Sequence, residues 1–231
     1  MKITPFTLSD ILKSDKFYEG IVEAGRLTEE NVESSMGVYG DRRRFTITKP
    51  LKEYAESARS GTAYEVKGKG LYVPSNKSRI INLHFHPPSD IWKAIPSQRD
   101  LETEINDEST PIKFGNPNIG YCFNVVSMIG HKDSDEIMLL STQLKTRRDD
   151  LGNLPNWVIG EIEKFVRKYG FDGAPDELVR TLNNSGYYRA ALMRFKGRED
   201  YDKELRKLSD FELLLRVDLC ERSKWMQIED E

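Results

Sequence analysis

The chain has 231 residues, 32% of them charged and 38% hydrophobic, the balance of one globular domain with an appendage, or of two small domains, rather than of a disordered chain. A net charge of −3 speaks against a protein held on nucleic acid or anionic lipid by bulk electrostatics, although Arg42, Arg43 and Arg44 form a local basic run. No apolar stretch approaches the roughly 18 residues needed to cross a bilayer. Met1 to Lys13 lacks the apolar core of a signal peptide, and Cys122 and Cys220 are far apart without CxxC spacing. Neither a disulfide framework nor a cysteine-ligated zinc is expected, and a reducing cytoplasm is the expected setting.

Taken in chain order, Ile3 to Phe6 is a short extended run. Thr7 or Ser9 then caps a helix with Ile11, Leu12, Ile21 and Val22 as its apolar positions, ended by Gly25. Glu33 to Gly40 reads as a strand, Phe45 to Thr48 is β-like, and Pro50 to Ser57 suggests a helical turn. Tyr64-Glu-Val and Leu71-Tyr-Val look like strands separated by glycines. Arg79 to His86 is the clearest strand: its period of two puts Ile81, Leu83 and Phe85 on one face and Asn82, His84 and His86 on the other. A helix is expected from Ser97. Strands follow at Tyr121 to Ile129 and Glu136 to Ser141, joined by a polar turn in which His131 is expected to be exposed. Beyond a charged linker at Lys145 to Asp150 the pattern is almost entirely helical. Trp157, Ile162, Phe165, Val166 and Tyr169 share one helix ended by Gly170. Further helices are expected at Asp176 to Leu182, Tyr187 to Phe195, Tyr201 to Leu208 and from Ser209.

The residues that carry chemistry cluster around the Arg79 to His86 strand. Two histidines separated by one residue on a strand point the same way, so both imidazoles can reach one metal, and Pro87 ends the strand because it cannot donate to a ladder. Asp100, one turn into the helix that Ser97 starts, offers the carboxylate that would complete a three-ligand zinc site with room for water. Taken singly, His-x-His can be two hydrogen-bonded surface histidines, and Ser-x-x-Asp a plain capping box.

Together, His84-Phe-His86-Pro87 and Pro96-Ser97-x-x-Asp100 resemble the signature of the JAMM (MPN+) family of zinc metallopeptidases. Glu33 to Gly40 is similar to that family's upstream glutamate strand, with Glu33 and Gly40 at the right separation. The resemblance covers about residues 1–145. It implies an α/β fold of the cytidine-deaminase-like kind, a curved mixed sheet flanked by helices, in a domain spanning 1–148. Residues 149–231 would form a helical C-terminal extension. It further implies Zn2+ held by His84, His86 and Asp100, Glu33 as general base and the Ser97 hydroxyl beside the oxyanion. The substrate would be a protein or peptide, such as the C-terminal tail of a ubiquitin-like or sulfur-carrier-like protein, with no nucleic acid and no membrane involved. Three departures stand out: the His86 to Asp100 interval is three residues longer than usual, the first glycine after Glu33 falls one place late at Gly37, and Ser35 stands where relatives often have cysteine. Glu65 is a rival for the glutamate role, and Asn82 could orient a histidine from its strand face. Two other classes stay open: a cupin-like metal-binding barrel using Asp90, and a non-catalytic scaffold of the JAMM fold.

Overall fold

The computed structural model describes residues 8–30, 32–40, 45–56, 65–66, 78–88, 90, 93–98, 100–102, 126–142 and 153–208. The expected elements at Ile3 to Phe6, Leu71 to Val73, Lys145 to Asp150 and from Ser209 lie outside these residues, as do Arg42 to Arg44, Cys122 and Cys220. Two helices, α1 (Leu8–Leu12) and α2 (Asp15–Leu27), open the chain. They replace the single helix expected there because Ser14 interrupts it: its hydroxyl donates to Ile11 O (2.8 Å) and accepts from Phe17 N (3.2 Å), capping α2. Gly25 therefore lies inside α2, and Val22 faces outward, 52% exposed.

Next come β1 (Val32–Gly40), β2 (Phe45–Ile47), β3 (Leu51–Glu56), β4 (Glu65–Val66), β5 (Ser78–His86), β6 (Val126–His131) and β7 (Glu136–Thr142). The helical turn expected at Pro50 to Ser57 is instead β3, because its backbone completes a ladder with β1 from Val32↔Tyr54 to Ser35↔Leu51. After β7 come α3 (Leu154–Tyr169), α4 (Ala174–Ser185), β8 (Tyr188–Arg194) and α5 (Arg198–Lys207). The strands form one curved, open, mixed sheet in the order β4-β3-β1-β5-β6-β7-β8, with β2 paired to β1. Among the described residues only β5 and β6 run parallel; the other paired strands are antiparallel.

The region from 149 onward is thus not solely helical. Tyr187 to Phe195, expected as a helix, contributes β8, which pairs with β7 along its whole length from Glu136↔Arg194 to Thr142↔Tyr188. Ala190, Ala191, Leu192, Met193 and Arg194 favour helix intrinsically, but the unpaired edge of β7 offers a full ladder and tertiary pairing wins. The sheet therefore continues across the expected boundary at 148. At the outer edge of β8 the Asn183 amide imitates a neighbouring strand, donating to Ala190 O (2.9 Å) and accepting from Ala190 N (3.0 Å). An edge filled in this way is a poor template for another chain.

Helices cover both faces of the sheet. On one, Ile11, Phe17, Ile21 and Ala24 of α1 and α2 and Tyr201 and Leu205 of α5 pack against Met36, Val38, Ile81, Leu83, Phe85, Met128, Ile137 and Leu139. On the other, Val158 and Ile162 of α3 and Leu178 and Leu182 of α4 enclose Ile95, Leu101, Met138, Leu140 and Tyr188. The period of two in β7 sorts its side chains between these two cores. Trp157 and Tyr169 of α3 are 48% and 60% exposed, whereas Tyr188 of β8 is wholly buried. Among the described residues no helix is long and apolar enough to cross a membrane.

Phe85, between the two histidines, faces the first core as its alternation requires. A Cβ at Gly130, its partner on β6, would lie 2.5 Å from the Phe85 ring, and one at Gly25 of α2 would lie 3.4 Å from it. The ring fills the space that both glycines leave, with little room to withdraw. Gly130→Ala should therefore cost about 1–3 kcal/mol of stability in denaturant unfolding. Unchanged stability would mean that Phe85 is not held as described.

Candidate metal centre

The site begins with the position of β5 in the middle of the sheet. β1 fixes it on one side with Ser35 opposite His84 and Ser34 opposite Phe85, and β6 on the other with His86 opposite His131. Pro87, without an N–H, ends the strand directly after His86. The two imidazoles meet with their Nε2 atoms 3.1 Å apart.

Asp100 comes from the short helical turn that Ser97 starts, as expected, with Leu101 N bonded to Ser97 O at 3.2 Å. Asp100 Oδ2 accepts from Ser97 N (2.7 Å) and Ser97 Oγ (2.8 Å), and Asp100 N donates back to Ser97 Oγ (3.2 Å), a reciprocal cap that sets the carboxylate's direction. The next residue, Leu101, is fully buried in the second core, where the Tyr188 hydroxyl donates to its carbonyl (3.3 Å). Thus β8, from the chain's last third, helps to hold the turn that carries Asp100.

Asp100 Oδ1 lies 3.5 Å from His84 Nε2, and Asp100 Oδ2 lies 3.7 Å from His86 Nε2. One donor atom from each of His84, His86 and Asp100 falls within 4.8 Å of the others. Bonds of 2.0–2.1 Å in a tetrahedron put neighbouring ligands about 3.3 Å apart, and each Nε2 finds an Asp100 oxygen near that distance, Oδ1 for His84 and Oδ2 for His86. Two imidazoles and a carboxylate are also a donor set that suits zinc. The residues fit a divalent ion, and the geometry leaves its chemical identity open.

The second nitrogen of His86 explains how the first is made available. His86 Nδ1 lies 3.0 Å from Lys93 O and 3.2 Å from Asp90 Oδ2. A carbonyl only accepts, so Nδ1 carries hydrogen and Nε2 is the nitrogen with a lone pair for a metal. Burial disfavours charge on this ring, but the Asp100 and Asp90 carboxylates outweigh it and hold its pKa up to about 10. Burial likewise works to raise the Asp100 carboxyl, yet His84 and His86 bring it well below the usual range. Without metal, His86 is therefore an imidazolium near neutral pH, and the added proton occupies Nε2, among the atoms that would bind an ion.

Other expected residues fall into place unevenly. Ser34 donates to Ala24 O of α2 (2.6 Å), so the flanking Glu33 and Ser35 point to the opposite face, the one that carries His84 and His86. Glu33 is one residue beyond the last paired position and so sits level with His86. Glu65 is on β4, three strands from β5, about 14 Å away at ordinary strand spacing. Asp90, weighed as a cupin-type ligand, lies across the His86 ring from Asp100, and the sheet is open rather than a closed barrel. His131 is not an exposed turn residue: it ends β6, only 4% exposed, accepting from Asp133 N (3.1 Å) and donating from Nε2 to Asp90 O (2.9 Å). Burial lowers its pKa. Sequence reasoning missed the roles of Asp90, the Lys93 carbonyl, His131 and Tyr188. The four-residue step from His86 to Asp90 is a faint signal for the first; Lys93, seven residues from His86, acts through a backbone carbonyl that no side-chain pattern reveals, and His131 and Tyr188 depend on contacts 41 and 87 residues distant in sequence.

Tyr188→Phe should cost about 1 kcal/mol in an unfolding titration, the loss expected when a buried carbonyl forfeits a donor; no loss would detach β8 from the Asp100 turn. A metal held by His86 Nε2 would have to displace the proton there. Because this pKa is raised from 6.5 to about 10, the pairing stabilises the metal-free fold fully below pH 6.5 and is lost as the pH climbs through 10. Zinc affinity from chelator competition should accordingly rise about tenfold per pH unit between pH 6 and 8, and a flat profile would contradict the protonated His86.

Comparison of the chain with protein-family models, with curated proteins and with solved structures returned no match in any of the three. The case for a metal centre accordingly rests on three converging donor atoms and on the histidine tautomer that frees one of them.

Proposed function

We propose that this chain is a zinc-dependent metallopeptidase of the JAMM type that hydrolyses a peptide or isopeptide bond. The observation that carries the proposal is the convergence of His84 Nε2, His86 Nε2 and an Asp100 oxygen, with Glu33 on the adjacent strand turned to the same face. When bound, Zn2+ supplies a Lewis acid that brings the pKa of water toward about 7. His84, His86 and Asp100 hold the ion. The Glu33 carboxylate takes the proton of the attacking water and gives it to the leaving amine nitrogen. The Ser97 hydrogen bonded to Asp100 orients that ligand, and the hydroxyl can aid an oxyanion only by changing this partner.

An extended protein tail, of the ubiquitin-like or sulfur-carrier-like kind, is the proposed substrate, bound by strand addition. Because Asn183 fills the β8 edge at Ala190, such a tail is better accommodated elsewhere in the fold. A cytoplasmic setting without nucleic-acid or membrane partners belongs to the same proposal.

Glu33→Gln should retain zinc but lose roughly 100- to 10,000-fold in cleavage of ubiquitin-like C-terminal conjugates, the span expected for removing a general base. Normal turnover in that variant would exclude Glu33 as the base. A wild type that takes up no zinc when zinc is supplied, and shows no cleavage, would favour the non-catalytic scaffold instead.

A further inference from the structure

We propose that Asp90 is a positioning residue for the metal, clamping His86 from behind together with the Lys93 carbonyl, while His131 braces the loop that carries both. This rests on the metal centre proposed above and adds a part that its three ligands do not include.

The geometry has four pieces. Asp90 Oδ2 and Lys93 O share the Nδ1–H of His86 at 3.2 and 3.0 Å, fixing both the tautomer and the ring's rotation. Lys93 is the one non-glycine residue with positive φ among those described (56°), a left-handed conformation that costs on the order of 1–2 kcal/mol and persists only when its surroundings hold it. The Asp90 backbone is tied at both ends: its N–H donates to Pro87 O (2.9 Å), and its carbonyl accepts from Lys93 N (3.3 Å) and His131 Nε2 (2.9 Å). His131, in turn, is locked by the Asp133 N–H on its Nδ1, which leaves Nε2 as the donor.

A carboxylate behind a ligating imidazole makes the ring a stronger donor and pre-orients it. Asp90 also balances charge. Of the carboxylates that flank the His86 ring, Asp100 alone would leave one net positive charge of a dication uncompensated beside a side chain only 5% exposed, and Asp90 offsets it.

The test is zinc affinity by chelator competition at fixed pH for wild type, Asp90→Ala, Asp90→Asn and Asp100→Ala, with visible spectra of the Co2+-loaded proteins. Asp90→Ala should bind zinc about 10- to 100-fold more weakly than wild type and shift the Co2+ bands, a change that a purely structural role would not produce. Asp90→Asn, which keeps an acceptor but not the charge, should fall between the two, and it carries the test if the alanine variant does not fold. Wild-type affinity and spectrum in the Asp90 variants, with binding lost in Asp100→Ala, would overturn this inference and leave the metal centre standing. A loss in Asp90→Ala as complete as in Asp100→Ala would overturn it too, making Asp90 a ligand. Absence of zinc binding by wild type would overturn the metal centre itself.

Discussion

Two imidazoles on one strand can serve one ion only if that strand cannot slip. A shift of one residue would send His84 and His86 to the opposite face and bring Phe85 among the ligands. The register of β5 is held antiparallel by β1 and parallel by β6, and the Phe85 ring, filling space left by Gly25 and Gly130, resists displacement from the other side. Everything at the site follows from that lock: the meeting of the two Nε2 atoms, the facing position of Glu33, and the place of His131 beside His86.

The site is also costly unless filled. Asp90, Asp100 and His86 gather charge where little water reaches, and such groups are tolerated only when their partners are well placed. Here a proton does in the metal-free protein what a divalent ion would do in the loaded one. A proton and an ion would compete for the same nitrogen, which would couple metal loading, stability and pH through His86. The strained Lys93 backbone and the buried tie from His131 belong to the same economy, since both keep the far side of the imidazole occupied.

Much of this was legible in the sequence because it is local. The alternation of Ile81, Leu83 and Phe85 against His84 and His86 requires only a period of two, and Ser97 and Asp100 lie within one helical turn. Glu33 needed more, since its relation to the histidines exists only once β1 pairs with β5. The misreadings share a cause. Leu51–Glu56 and Tyr188–Arg194 carry helix-compatible residues, yet each meets an open strand edge and is recruited into the sheet. No local pattern reveals that edge. His131 is a further case: its polar neighbours suggest a turn, whereas it is buried and its Nε2 donates to Asp90 O, 41 residues earlier. Asp90 and Lys93 lie within the interval between His86 and Asp100 that is longer than in the signature these residues resemble.

X-ray absorption at the zinc edge of the loaded protein tests the central claim most directly. The account predicts a four-coordinate shell of nitrogen and oxygen at about 2.0–2.1 Å, with the outer-shell scattering of two imidazoles and no sulfur. A shell with one imidazole or none, or a zinc–sulfur distance near 2.3 Å, would contradict it.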